Sequence, residues 1–225
     1  MRVLHRGASG GATAHVLQTD RADGDLRIDG EGVEARRAGV RPGPWTWLRQ
    51  VHGHRVVVVT GPGGAAGEEA DAAVTAAEDA ALAVHTADCA SVALVAPAGG
   101  VGAVHAGWRG LLAGVVEEAV VALRARVGDE RVEAVLGPCI GPADYEFGER
   151  DLALLVDRYG PGVRARTRGG RPALDITATV TTALDRVGVP LVARDPRTTA
   201  SPELWSHRLD GATARTATVV WRARS

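Results

Sequence analysis

Three short segments of the sequence combine metal-type side chains with glycines that permit tight turns. They are Arg49-Gln50-Val51-His52-Gly53, His85-Thr86-Ala87-Asp88-Cys89 and His105-Ala106-Gly107-Trp108-Arg109-Gly110. Two imidazoles and one thiolate suit zinc, and a fourth position left open for water makes such a site catalytic. Spacing alone does not decide the matter, because His52, Cys89 and His105 form no Cys-x-x-Cys or His-x-x-x-His pair. A packed core histidine or a buried apolar cysteine explains each residue equally well.

The third segment also favours an anion site. A strand is predicted to end at His105 and a helix to begin near Trp108, so free N–H groups of the helix N-terminus point toward a ligand. Arg109 adds a planar guanidinium that suits phosphate, and Arg49 is a second candidate for the same role. Asp88 is placed to orient a ligand or to accept a proton beside Cys89. Asp71 is interpreted as a turn or capping residue.

Mixed strands and helices must position these segments. The sequence predicts an α+β fold, because hairpin-like neighbouring strands interrupt any strict alternation of strand and helix. Predicted strands span 55–60, 81–86, 92–96, 101–105, 132–136 and 216–221. Predicted amphipathic helices span 108–127, 149–159 and 175–187. Residues 61–67 and 160–171 are rich in Gly, Pro or Arg and predict exposed loops.

Composition narrows the class of protein. The chain has 225 residues, of which 45% are apolar, and this suits one domain with a substantial core. The net charge of -1 and the complete absence of Lys give no electrostatic case for nucleic acid or an anionic membrane. Only two cysteines occur and no signal-like apolar region opens the sequence, so we expect a cytoplasmic protein. The oligomeric state stays open.

Three alternative interpretations of the sequence predict other functions. In a thiol hydrolase, Cys89 is the nucleophile, His105 the base and Asp88 or a backbone carbonyl the orienting group, with a cell-wall precursor or another amide as substrate. In a copper-dependent polyphenol oxidase, His52 and His54 form a His-x-His pair, although a multicopper site needs most of the 7 histidines to converge. A nucleotide-binding module without catalysis rests on Gly61, Gly63 and Ala66, a loose match that Pro62 weakens.

The strings around these residues resemble the laccase-domain family, also called the peptidoglycan editing factor or polyphenol oxidase family. The resemblance rests on residues 49–53, 70–75, 86–89, 105–110, 137–141 and Tyr145-Glu146. The resemblance implies a zinc site of His52, Cys89 and His105, with copper as the less favoured metal. It also implies one layered α/β/β/α domain over residues 1–225.

The implied activity is that of a purine nucleoside phosphorylase. Its substrates would be adenosine, inosine, guanosine and methylthioadenosine together with phosphate, with adenosine deamination as a side activity. Arg49, Gln50, Asp88 and Tyr145 are the predicted substrate contacts, and Arg109 joins the metal ligands as a catalytic residue. The sequence departs from the family near both ends. Residues 6–11 and 206–209 match the family's motifs at these places only in part.

Overall fold

The computed structural model describes residues 1–224, and in this range the chain forms thirteen strands and six α-helices. The strands are β1 (Arg2–Ser9), β2 (Ala12–Gln18), β3 (Trp45–Trp47), β4 (Val56–Val59), β5 (Ala72–Thr75), β6 (Ala81–Thr86), β7 (Ala90–Ala96), β8 (Gly100–Ala106), β9 (Glu133–Leu136), β10 (Arg164–Arg166), β11 (Pro172–Leu174), β12 (Leu191–Arg194) and β13 (Thr216–Ala223). The helices are α1 (Val33–Val40), α2 (Trp108–Ala113), α3 (Val115–Val127), α4 (Glu149–Tyr159), α5 (Ile176–Arg186) and α6 (His207–Asp210). The predicted domain boundary at Ser225 lies outside the described residues.

Two large sheets form the centre of the molecule. The six-stranded sheet has the order β12-β9-β7-β8-β5-β4, and the five-stranded sheet has the order β1-β2-β13-β6-β3. Strands β7 and β8 form an antiparallel hairpin from Ala90 opposite Ala106 to Ala96 opposite Gly100. A third, two-stranded sheet joins β10 to β11. Both large sheets mix parallel and antiparallel pairs, as the α+β prediction requires.

The buried side chains define four layers. Along β7, Val92 and Leu94 pack toward the helices, whereas Ala93 and Val95 join the core between the two sheets. This alternation is the period of two that a strand imposes on its side chains. Helices α2 to α5 cover the outer face of the six-stranded sheet, and α1 packs on the outer face of the five-stranded sheet. The predicted α/β/β/α sandwich is confirmed.

Two local predictions were wrong. The helix expected over 108–127 is divided into α2 and α3 at Gly114, whose φ of 92° lies in the left-handed region. The apolar spacing continues across this break, because both helices pack on the same sheet, and it therefore hides the interruption. The loop expected over 160–171 contains β10, which pairs with β11. No helix within residues 1–224 is long and apolar enough to cross a membrane.

Candidate metal and substrate site

His105 reaches the site because β8 ends beside Asp71. The His105 backbone N–H donates to the Asp71 carbonyl at 2.7 Å, and the ring Nδ1 lies 2.8 Å from Asp71 Oδ1. A carboxylate on Nδ1 fixes the ring orientation and leaves Nε2 as the nitrogen available to a ligand. The Asp71 side chain is completely buried. Burial opposes ionisation of Asp71, but the bonds from His105 and the backbone lower its pKa overall.

Asp71 also shapes the loop that carries His52. Its carboxylate oxygens accept the backbone N–H groups of Val51, His52 and Gly53 at 3.2, 2.9 and 2.7 Å. His52 adopts a φ of 59°, a conformation that non-glycine residues rarely adopt without such support. One carboxylate therefore positions both histidines of the site. The sequence interpretation of Asp71 as a capping residue describes only half of this role.

Cys89 lies in the turn between β6 and β7, next to the strained residue Asp88. The φ of Asp88 is 115°, and its carboxylate accepts hydrogen bonds from Thr199 Oγ1 at 2.7 Å, Ser206 Oγ at 2.6 Å and the Arg208 backbone N–H at 2.7 Å. These three bonds tie the turn to a segment more than 100 positions further along the chain. They also occupy the carboxylate that was predicted to serve as a proton acceptor.

The three predicted metal ligands converge. The ligand atoms of His52, Cys89 and His105 all lie within 4.8 Å of one another, and His52 Nε2 is 3.8 Å from Cys89 Sγ. Zinc bonds of the usual lengths at a tetrahedral angle separate nitrogen and sulfur by about 3.6 Å, so this pair fits a tetrahedral ion. His54, the other half of the His-x-His pair, is exposed and not part of the cluster.

Gly107 leaves the space that this cluster requires. A Cβ on Gly107 would lie 2.7 Å from His52 Cδ2, 3.4 Å from Cys89 Sγ and 3.4 Å from a ring carbon of His105. Its φ of -68° is ordinary, so glycine is required here for space and not for conformation. A backbone without a side chain lies against all three ligands, and the donor set and its surroundings therefore fit a metal ion.

The electrostatics of the cluster favour a thiolate. Burial opposes ionisation of Cys89, but the His105 and His52 imidazoles outweigh it and lower the thiol pKa to about 6. Burial likewise disfavours a charged His105, whereas Cys89 and Asp71 raise its pKa. Thiolates are the form of cysteine that binds metals and attacks electrophiles. A thiolate at Cys89 is compatible with both the zinc-site and the thiol-hydrolase interpretations.

The cluster opens into a cavity of about 490 Å³. This volume lies in the range of small-molecule sites. The cavity is lined by Arg27, Ile28, Leu48, Gln50, His52, His85, Thr86, Ala87, Asp88, Cys89, His105, Trp108, Tyr145, His207, Arg208 and Arg215. Metal ligands, aromatic rings and guanidinium groups thus share one space.

Gln50 and His85 form a rigid part of the cavity wall. The Gln50 amide donates to the His85 carbonyl and accepts its backbone N–H, both at 2.8 Å. The His85 ring is buried, and neither nitrogen has a hydrogen-bond partner among the described residues. Burial, together with the charges of Arg37 and His105, lowers the His85 pKa to about 3. His85 is therefore neutral at physiological pH.

The predicted substrate contacts divide into two groups. Gln50, Asp88 and Tyr145 line the cavity, whereas Arg49 and Arg109 are exposed and do not. The Arg109 guanidinium instead lies 4.4 Å from the centre of the Trp108 ring. Burial raises the pKa of the Tyr145 phenol, which therefore stays a neutral donor. Arg27 and Arg215 were missed, because no local string marks either residue and only the fold brings them to the cavity.

Comparison with known proteins shows sequence similarity over most of the chain. A family model described as multi-copper polyphenol oxidoreductase laccase matches residues 22–223. A purine nucleoside phosphorylase of Streptomyces griseus is 39% identical over 98% of this chain and 99% of its own length. A purine nucleoside phosphorylase of Mycobacterium tuberculosis is 38% identical over 95% of this chain and 88% of its own length.

Solved structures share the same fold. A Neisseria meningitidis protein of the family DUF152 superposes with a TM-score of 0.81 at 25% identity, over 99% of this chain and 98% of its own. YlmD from Geobacillus stearothermophilus also gives a TM-score of 0.81, at 24% identity, over 98% of this chain and 99% of its own. Both similarities extend over nearly the whole length of each chain, so the layered fold described above is common to them.

Proposed function

This chain belongs to the multi-copper polyphenol oxidoreductase laccase family, and from the names of its relatives and its candidate metal ligands we propose that it is a zinc-dependent purine nucleoside phosphorylase. The proposed substrates are adenosine, inosine, guanosine and methylthioadenosine with inorganic phosphate, and adenosine deamination is a side activity. The names of its relatives support an enzyme of this class. The observation that carries the proposal is the His52, Cys89 and His105 cluster in the wall of one substrate-sized cavity.

Each residue near the cluster has a definable task in this proposal. His52, Cys89 and His105 hold the ion, and Asp71 keeps Nε2 of His105 turned toward it. Bound zinc supplies Lewis acidity beside the nucleoside. Gly107 keeps the space between the ligands free. These tasks require a rigid cluster, and the buried Asp71 provides that rigidity through four hydrogen bonds.

The proposed phosphorolysis exchanges one bond for another. A phosphate oxygen forms a bond with C1′ of the ribose, the bond from C1′ to N9 breaks, and its electron pair stays on the purine, which gains a proton. The products are the free purine and ribose 1-phosphate, or 5-methylthioribose 1-phosphate when methylthioadenosine is the substrate. Trp108 and Tyr145 offer aromatic surface for the base, and the neutral Tyr145 phenol is a hydrogen-bond donor to the departing purine, whose proton comes from the hydrogen phosphate.

Zinc is proposed over copper because of the ligand set. The cluster brings together two of the 7 histidines and one cysteine, whereas a multicopper centre needs many more imidazoles. We also propose that residues 1–225 form one laccase-like domain. Both cysteines are free thiols, and this supports a reducing compartment such as the cytoplasm. Nothing in the composition favours nucleic acid as a partner.

The decisive experiment incubates protein of measured zinc and copper content with adenosine, with and without inorganic phosphate. We expect adenine and ribose 1-phosphate only when phosphate is present. Inosine would identify the deaminase activity. Absence of turnover of all four nucleosides by protein that contains one zinc per chain would refute the proposed function. Hydrolysis of amide substrates that persists in chelator would support the thiol-hydrolase alternative instead.

Cys89→Ala tests the metal role of the thiolate. We expect loss of bound zinc and of both nucleoside activities, since removal of one of three protein ligands leaves two imidazoles. Cys139→Ala is the matched control, because Cys139 is buried, lies outside the cluster and contacts Thr177 at 3.4 Å. A Cys89→Ala protein that keeps its zinc and its activity would contradict the assignment.

A further inference from the structure

The cavity wall contains three arginines, and their charges are not equally compensated. Arg27 is paired with Asp29 at 2.9 Å and lies 3.9 Å from Asp25. Arg208 and Arg215 form no ion pair with any carboxylate among residues 1–224. Two guanidinium groups therefore reach the same cavity as the metal cluster with their positive charge uncompensated.

Backbone carbonyls hold both of these guanidinium groups in place. Nη1 of Arg215 donates to the carbonyl oxygens of Ala212, Thr213 and Ala214 at 3.1, 2.9 and 3.0 Å. Nη1 of Arg208 donates to the Glu146 carbonyl at 2.9 Å. A carbonyl oxygen fixes the direction of a guanidinium but leaves its formal charge intact. The remaining N–H donors of each guanidinium stay available to an anion.

The Arg208 side chain is restrained a second time. Its guanidinium carbon lies 5.1 Å from the centre of the Tyr145 ring, within the range of a cation–π contact. Its backbone N–H is bound to the Asp88 carboxylate at 2.7 Å. Residue 208 is therefore fixed at the main chain and at the side chain, on the side of the cavity that Tyr145 and the Cys89 turn define.

The carboxylates in and near the cavity wall do not neutralise the positive charges of Arg208 and Arg215. Asp88 is the one carboxylate among the described residues that line the cavity, and three hydrogen bonds already occupy it. Asp25 accepts the backbone N–H groups of Arg27 and Arg215, but it makes no ion pair with the Arg215 guanidinium. The part of the wall formed by Arg208 and Arg215 is consequently suited to an anion and not to a cation.

We propose that Arg208 and Arg215 form a phosphate-binding subsite in the same cavity as the metal cluster. The inference rests on the proposed phosphorolysis for its ligand, which is the phosphate dianion that attacks the ribose. It assigns phosphate to two arginines that line the cavity and not to Arg109 or Arg49, which lie outside the cavity lining. The proposed subsite and the metal cluster share one cavity, as a reaction between two bound substrates requires.

Direct binding tests the subsite without relying on turnover. Inorganic phosphate is titrated by calorimetry into the zinc-loaded protein and into Arg208→Gln and Arg215→Gln. Each variant is expected to bind phosphate about tenfold more weakly or worse, since it loses charge-assisted hydrogen bonds. Arg126→Gln is the control, because Arg126 is exposed on α3 and outside the cavity. Zinc content and melting temperature establish that each variant is folded.

Kinetic constants provide the second readout. Phosphate KM should rise in both variants, whereas adenosine KM stays within about twofold, because the guanidinium groups contact only the anion. Arg208→Lys and Arg215→Lys keep the charge and should restore part of the affinity, which a merely structural defect would not allow. Unchanged phosphate affinity in both glutamine variants, or a loss seen only in Arg109→Gln, would overturn the proposal.

Binding of inorganic phosphate and of adenosine 5′-monophosphate distinguishes a failure of the subsite from a failure of the proposed function. If the wild type binds inorganic phosphate but turns over no nucleoside, and both variants lose that binding, the subsite stands and the proposed function fails. If the wild type binds only the phosphate ester, and the variants lose it, the subsite again stands, with a nucleotide as its ligand. If neither ligand binds to the wild type, the subsite is refuted whatever the enzyme does with nucleosides.

Discussion

Asp71 contacts neither the ligand atoms of the cluster nor the open cavity, yet it positions two of the three proposed metal ligands. Its carboxylate accepts four hydrogen bonds, three from the backbone of the His52 loop and one from the His105 ring. A carboxylate has the acceptor capacity for all four bonds, whereas an amide has one oxygen. We therefore expect the proposed metal site to require the charge of Asp71.

Asp71→Asn should weaken zinc binding by about 10- to 100-fold, because the variant loses the acceptor that orients His105 or the acceptor that closes the His52 loop. Zinc affinity is measured by competition with a chromogenic chelator. Glu69→Gln serves as the control, since Glu69 is exposed and two positions away. Equal zinc affinity of the Asp71→Asn variant and the wild type would show that the backbone alone positions the ligands.

Gly107 offers a second prediction about single residues. Gly107→Ala should lose zinc while remaining folded, because the new Cβ meets the His52 ring at 2.7 Å. Gly148→Ala is a matched control, since Gly148 precedes α4 with a φ of -66° and nothing lies within 4 Å of its added Cβ. Zinc content per chain is the measurement. A zinc-loaded Gly107→Ala protein would mean that the cluster can shift to admit a methyl group.

At the level of elements, Asp88 joins the turn that carries Cys89 to the segment of the cavity wall that carries Arg208. The carboxylate next to Cys89 binds Thr199, Ser206 and the backbone of Arg208, and it thereby docks the segment that begins after β12. Ser206 also caps α6 by accepting the N–H of Leu209. One side chain thus connects the turn between β6 and β7 to the helix that carries Arg208.

Asp88→Asn should raise the phosphate KM by up to about tenfold, because its amide nitrogen cannot accept the Arg208 N–H and one charge-assisted bond is lost. The nucleoside KM and the zinc content should change little, since the Cys89 side chain is untouched. Asp185→Asn, at an exposed position of α5, is the control. An equal rise in both KM values would indicate a general disturbance of the cavity and not a displaced arginine.

Local patterns predicted the elements well and the distant contacts poorly. β6 and α4 have the predicted bounds, because a buried strand and an amphipathic helix each leave a periodic signature in adjacent residues. The three proposed metal ligands could be named from the sequence because each lies in a short distinctive motif, and the structure brings them together. Arg215 and the positioning role of Asp71 depend on pairings across the fold, and no window of adjacent residues contains them. Gly114 was missed because the apolar stripe continues through it.

On the scale of the whole molecule, one buried imidazole links stability to pH. His85 is neutral in the folded protein with a pKa of about 3, because burial and the positive charges of Arg37, His105 and Arg215 outweigh the opposing charge of Asp25. The unfolded chain binds a proton at His85 near the ordinary histidine pKa, and the folded protein does not. Acid therefore favours the unfolded state, and this loss of stability begins as the pH falls below about 6.5.

Between pH 7 and pH 5, His85 should lower the free energy of unfolding by about 2 kcal/mol, from one proton taken up by the unfolded state alone. His85→Gln removes that contribution. Urea unfolding of both metal-free proteins at the two pH values measures the difference, and removal of metal eliminates its release as a competing cause. The same pH dependence in both proteins would place the responsible group elsewhere.

The position of β13 has a consequence for how the protein is made. This strand lies between β2 and β6 in the centre of its sheet, and Thr218 bonds to Gln18, 200 residues earlier. The ribosome must therefore deliver residues 216–223 before β2 and β6 gain their shared partner. Until then two strand edges remain open to other nascent chains. We expect newly synthesised chains to depend on chaperones during that interval.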